Sequence, residues 1–243
     1  MTFRGLLPER GANRYLEPLF AISVFVGIAY AMWHLFNYYY LPQPFFFDPM
    51  DAYMDWINSS QWGRDQGTWD VWQTIYPPLS FIFLDIFGID KCYLSESKFA
   101  RECDWLGVGT LHAFMILNMV LVSLTYLKID RKTAVWRSIA LGAGLPVLFA
   151  VDRGQLLIVC FTCFILGYGP LLRSTRLRWL AVGLAINFKP YLIASIFPQL
   201  LRRRWLWFEG ALLATVAVYL VTYGILGRGT PKEIVDNLIN FAG

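Results

Sequence analysis

Three aspartates, Asp48, Asp51 and Asp55, fall within eight positions of the segment FFFDPMDAYMDWINSSQWGRDQGTWDVWQTIYPPL. On a helix, Asp51 and Asp55 share a face at i,i+4 spacing. Asp48 then stands near the helix start, where the dipole favours a carboxylate. Nine aromatic residues are interleaved between positions 41 and 76: Phe45, Phe46, Phe47, Tyr53, Trp56, Trp62, Trp69, Trp72 and Tyr76. An interfacial belt with solvated acids accounts for the rings. The interleaving of acids with rings also fits a sugar site, in which rings stack on pyranose faces and a carboxylate acts as general base.

Two further polar elements interrupt apolar sequence. The first is Val151-Asp152-Arg153-Gly154-Gln155, and the second is Asn187-Phe188-Lys189-Pro190. Pro190 lacks a backbone donor and breaks a helix, so unpaired backbone groups gather beside Lys189. A lysine at a helix break inside a membrane is costly and marks a candidate functional site. Arg153 and Lys189 together suit the phosphate of a lipid carrier. The bland alternative is a snorkelling lysine and a structural Asp152–Arg153 pair. His34 and His112 each stand alone in apolar runs, and Cys160 and Cys163 form a CxxC inside an apolar helix without a second ligand pair. These read as packing residues. No Walker loop, HExxH, DxD or GxSxG pattern is present, and no ligand set calls for a metal or another cofactor.

The elements that must position these residues are membrane helices. Of 243 residues, 57% are hydrophobic and 16% charged, against about 25% charged in ordinary soluble domains. The expected fold class is all-α, a polytopic transmembrane helical bundle forming one integral-membrane domain over residues 1–243. Leu16–Tyr40, Trp105–Leu127 and Leu206–Leu226 are long enough to span. Ser138–Val151, Gln155–Leu172, Trp179–Phe188 and Pro190–Leu201 are shorter apolar runs that suggest half-spans or broken helices. Trp179–Leu201 reads as a hairpin turning at Lys189-Pro190. With the N-terminus cytoplasmic, the inner segments then hold 13 of the 21 Lys and Arg but 4 of the 17 acids, as the positive-inside rule requires. The net charge of +4 is thus a membrane orientation signal and does not point to nucleic acid. The first outer loop covers 41–104. Within it Pro77–Phe87 is apolar but too short to span, and is expected to lie as a helix in the interface. Cys92 and Cys103 share this loop, and an oxidising compartment permits a disulfide without requiring one.

Taken in order, the acidic first outer loop, Tyr76-Pro77-Pro78-Leu79, Arg153-Gly154-Gln155 opening a helix, and Lys189-Pro190 within GLAINFKPYLIASIFPQLLRRRW resemble the GT-C superfamily of polyprenyl-phosphate-sugar-dependent glycosyltransferases. The nearest branch is family 87, which includes polyprenol-phosphate-mannose-dependent mannosyltransferases. The resemblance runs from about Leu16 to the C-terminus. It implies a GT-C-like bundle, a polyprenyl-phosphate sugar donor, a glycan or glycolipid acceptor, and inverting transfer at the outer face of a bacterial inner membrane. Asp51 matches the family's catalytic base best, with Asp55 and Asp48 as the other candidates. Lys189 matches a carrier-phosphate ligand, and Arg153 and Gln155 match the polar knot lining that pocket. Tyr76, Trp56 and Arg64 complete the expected substrate-binding set. Family members carry further spans beyond the point where this chain stops, so the chain reads as a truncated product or fragment, the N-terminal portion of a longer enzyme, or as a short variant. The competing classes are a membrane transporter, since broken helices with polar tips also build transport sites, and a non-catalytic membrane scaffold.

Overall fold

The computed structural model describes residues 15–45, 48–65, 67–94 and 97–242. Phe46 and Phe47 of the aromatic segment, and Arg4, Glu9, Arg10 and Arg14 of the inner charge pattern, lie outside the described residues. Among those described the chain is helical throughout and has no strand. The helices are α1 (Leu16–Tyr38), α2 (Met54–Arg64), α3 (Pro78–Ile86), α4 (Ser97–Cys103), α5 (Trp105–Ile129) and α6 (Ala134–Gly142). They are followed by α7 (Leu145–Asp152), α8 (Leu157–Tyr168), α9 (Thr175–Phe188), α10 (Phe197–Leu201), α11 (Trp205–Leu226) and α12 (Pro231–Ala242).

Four stretches among the described residues are long and apolar enough to cross a membrane: Leu16–Tyr38, Trp105–Ile129, Ala134–Asp152 and Trp205–Leu226. The third corrects the reading of Ser138–Val151 as a short run. α6 and α7 together reach spanning length, interrupted at Ala143–Gly144 just before Pro146. A proline in the first turn restarts a helix without losing a needed donor.

Local chemistry sets the boundaries. Asp104 caps α5 by accepting from the Gly107 N–H at 3.0 Å. Thr230 and Glu233 form a reciprocal box at the start of α12, with the Thr230 N–H on Glu233 Oε2 at 2.6 Å and the Glu233 N–H on Thr230 Oγ1 at 3.3 Å. α9 ends at Lys189, whose extended φ −140°, ψ 102° is the conformation a following proline favours. A 3-10 segment, Pro190–Ile196, then carries the chain back. Ser195 Oγ lies 2.8 Å from Tyr168 Oη, and the carbonyl of Tyr168 accepts from Arg178 near the start of α9. The break and reversal expected at Lys189-Pro190 are therefore present.

α9 is the central helix and packs on both α8 and α11. Its approach to α11 needs a small residue, because a Cβ on Gly183 would lie 2.9 Å from the backbone carbon of Ala214. Polar side chains bridge the other helices. Asn118 on α5 is fully buried, donates to the Ile158 carbonyl at 2.8 Å and accepts from Thr162 Oγ1 at 2.7 Å, both on α8. Asn187 on α9 donates to the Thr215 carbonyl of α11 at 2.9 Å.

The described residues of the segment 41–104 are folded. The Cys92–Cys103 disulfide is formed, with Cα atoms 5.5 Å apart. Next to it Tyr93 Oη donates to Asp104, which is fully buried. α3, the short apolar segment expected at the interface, packs against the bundle. Ser80, Phe81 and Leu84 are buried, and Ser80 Oγ donates to the Phe188 carbonyl at 3.1 Å. Its apolar residues cover more than one face and find protein on α2, α9 and α11, while Asp85 stays exposed.

Candidate functional site

The site is built where α2 begins and α7 ends. Asp48, Asp51 and Asp55 do not share one helix, contrary to the i,i+4 reading. Asp48 and Asp51 belong to a 3-10 turn (Pro49–Asp51), where Asp48 Oδ1 accepts from the Met50 N–H at 2.8 Å. Tyr53, at φ 64°, then breaks the path before α2 starts at Met54. Asp48 and Asp51 are exposed.

Asp55 meets the polar knot. The Tyr53 N–H donates to the Asp152 carbonyl at 2.7 Å and the Asp55 N–H to the Arg153 carbonyl at 3.0 Å. These bonds satisfy two of the free donors at the start of α2. Asp55 Oδ2 accepts from Gln155 Nε2 at 3.2 Å and pairs with Arg153 Nε at 3.5 Å. The structure thus brings together Asp55, Arg153 and Gln155, residues about 100 positions apart.

Lys189 forms the second centre. Only 7% exposed, it donates from Nζ to Tyr76 Oη at 2.7 Å, with the ammonium 4.2 Å from the Tyr76 ring centre. Among the described residues no carboxylate pairs with it. Lys189 lies near enough to Cys160 of α8 to act on it electrostatically. Gln155 stands two residues before α8 begins at Leu157.

Next to Lys189, through Cys160 and Leu192, is an apolar cavity of about 340 Å³. Its walls include Val147 and Ala150 of α7, Leu157 and Cys160 of α8, and Leu192, three residues past Lys189.

Two expected ligand residues are engaged elsewhere. Trp56 is 1% exposed, with its ring edge-on to Phe83 at 5.9 Å, so it packs in the core and offers no stacking face. Arg64 donates to Asp90 Oδ1 from Nε at 3.1 Å and Nη2 at 2.8 Å, approaches Asp85 at 3.5 Å and lies over the Tyr93 ring. It ties α2 to the end of α3 and to the 3-10 turn Asp90–Tyr93 that follows.

Sequence reasoning counted Tyr53 among the aromatics and His112 as a packing residue, but did not pair the two. His112 Nδ1 lies 2.8 Å from the Val108 carbonyl, which only accepts, so Nδ1 carries the proton and Nε2 faces Tyr53 Oη. Burial, then the charge of Asp152, raises the Tyr53 phenol above its ordinary pKa. The signal in the sequence was the Met50–Trp56 run itself, but its left-handed residue is not marked by a glycine. Among the described residues no group of three His, Cys, Asp or Glu converges as a metal would need. No protein-family model, curated protein or solved structure matches this chain.

Proposed function

We propose that this chain is a membrane glycosyltransferase, or the part of one that holds its donor, moving a sugar from a polyprenyl-phosphate carrier to a hydroxyl of a glycan or glycolipid. The observation that carries the reading is Lys189, a buried cation with no carboxylate partner among the described residues, beside an apolar cavity. Burying an uncompensated charge costs several kcal/mol, and a ligand anion offsets it. An amphiphile with a phosphate head and an isoprenoid tail matches both halves, the head on Lys189 and the Tyr76 hydroxyl, the tail among Val147, Leu157 and Leu192.

Asp55 is the preferred base in this reading, in place of Asp51, because Gln155 and Arg153 orient its carboxylate next to the start of α8. The acceptor oxygen attacks the anomeric carbon, and its proton passes to Asp55. The bond from that carbon to the phosphate oxygen breaks on the opposite face, and its electron pair leaves on the polyprenyl phosphate beside Lys189, inverting the anomeric centre. A cation where leaving-group charge develops lowers the barrier. In this reading the N-terminus is cytoplasmic and the site opens to the outer face of a bacterial inner membrane.

The test is the protein reconstituted in lipid with radiolabelled polyprenyl phosphate sugars and a glycan acceptor. Transfer, or release of polyprenyl phosphate, is expected from the wild type. Asp55→Asn should lose turnover at least 100-fold while keeping donor binding, and Asp51→Asn should retain turnover. Lys189→Ala should weaken donor binding. Donor binding insensitive to Lys189, or no donor bound at all, overturns the reading and returns the broken helix at Lys189 to the transporter class.

A further inference from the structure

Away from Asp55 and Lys189, the outer segment carries a stacked tryptophan pair that the preceding reading does not use. Trp62 and Trp72 lie with ring centres 5.7 Å apart and planes 19° from parallel, an offset stack. The Trp72 N–H donates to Asp65 Oδ2 at 2.9 Å. Stacked on Trp62 and bonded to Asp65 through its N–H, Trp72 stays 47% exposed.

The support beneath is fixed. The backbone N–H groups of Val71 and Trp72 both donate to the Gly67 carbonyl, at 2.9 and 3.0 Å. Arg228 donates to the carbonyls of Asp65 at 2.6 Å and Gly63 at 2.5 Å, holding the end of α2. Asn237 of α12 donates to the carbonyls of Trp69 at 2.9 Å and Thr74 at 3.0 Å. Trp69 Nε1 donates to the Tyr76 carbonyl at 3.1 Å, so the turn that bears Trp72 is continuous with the residue that holds Lys189. Asp65 and Asp70 stand exposed on the same turn.

We propose that Trp72, backed by Trp62 and flanked by Asp65 and Asp70, is a carbohydrate subsite that takes one hexopyranose ring of the acceptor. A pyranose presents C–H groups on its face and hydroxyls at its rim. The C–H face suits the electron-rich face of an indole; the exposed Asp70 carboxylate accepts hydroxyls, while Asp65, bonded to the Gly67 and Trp72 N–H groups, positions the ring. A tryptophan of the membrane interface directs its N–H toward the headgroups. The Trp72 N–H is instead bonded within the protein, which holds the ring as a rigid plane. Its role as acceptor site rests on the transferase reading, but its capacity to bind sugar does not.

The experiment uses the full chain in nanodiscs with maltotriose, α-mannotriose and N-acetylchitotriose, read by saturation-transfer NMR and tryptophan fluorescence titration. At least one trisaccharide is expected to bind the wild type, with affinity falling at least tenfold in Trp72→Ala and largely retained in Trp72→Phe, which keeps a ring face. Sugar binding lost in Trp72→Ala while the wild type binds no polyprenyl-phosphate donor would sustain the subsite and remove the transferase reading. Binding that is absent or indifferent to Trp72 would overturn the subsite whatever the turnover. Quenching by brominated lipid that disappears in Trp72→Ala would place the ring in the bilayer and overturn it as well.

Discussion

Gly154 lies directly on the backbone of Tyr53: a Cβ added to Gly154 would sit 2.7 Å from the Tyr53 carbonyl oxygen and 2.8 Å from its Cα. Both residues hold left-handed backbone, φ 71° and φ 64°. This paired turn lets the Asp152 and Arg153 carbonyls reach the start of α2 and leaves Asp55 facing Gln155 and Arg153. Gly154→Ala therefore meets rigid backbone and an unfavourable φ together. A loss of at least 2 kcal/mol is expected from the strain and the displaced contact, read as a lowered midpoint in thermal unfolding. If the midpoint is unchanged, the two segments do not pack this closely.

Replacing Lys189 separates the cost of its charge from its use. Lys189→Met keeps most of the stem and removes the buried ammonium. The ligand-free protein should become more stable by about 1–3 kcal/mol, since an apolar residue outperforms an uncompensated buried charge. The same variant should lose the stabilisation that decaprenyl phosphate confers on the wild type. Thermal unfolding with and without that lipid measures both effects. A less stable variant that still responds to the lipid would contradict the assignment of Lys189.

Asn118 and Thr162 should be coupled. The hydrogen bond between them at 2.7 Å joins α5 to α8 in a fully buried setting. A double-mutant cycle of Asn118→Ala and Thr162→Val is expected to give a coupling of about 0.6–2 kcal/mol. Additive losses would mean that the two side chains do not meet.

The disulfide and its neighbour should govern the outer segment. Cys92→Ser with Cys103→Ser should cost about 2–3 kcal/mol by releasing a short closed loop. Beside it, burial and then the hydrogen bond to Asp104 raise the Tyr93 phenol above its ordinary value. A raised folded-state pKa favours folding of the neutral phenol. That contribution is full below about pH 10 and is lost as pH rises through the folded value. Tyr93→Phe should lower stability at neutral pH and flatten its alkaline decline. An unchanged alkaline slope in that variant would show that other groups control it.

How much could be read in advance differs by element. Long apolar runs such as Trp105–Leu127 need no partner to be recognised, because length and hydropathy alone decide whether a helix suits lipid. The break at Lys189-Pro190 was equally local, since proline imposes extended backbone on the residue before it. The aspartate cluster misled. Spacing suggested one helix face for Asp51 and Asp55, but the bonds from Tyr53 and Asp55 to the Asp152 and Arg153 carbonyls draw the chain into a turn that no local pattern encodes. Trp56 and Trp72 were alike as letters. Packing buried the first and left the second half exposed.

The sequence by itself determined an all-helical chain with membrane-length apolar segments, a helix break at Lys189 and cysteines spaced for a disulfide, because each depends on hydropathy, proline geometry or short-range reach. Only the tertiary structure decided that Asp55, rather than Asp51, meets Gln155 and Arg153, that Tyr76 reaches Lys189, and that Arg64 belongs to Asp90. Those pairings join residues distant along the chain, and distant partners are selected by how helices pack as a whole.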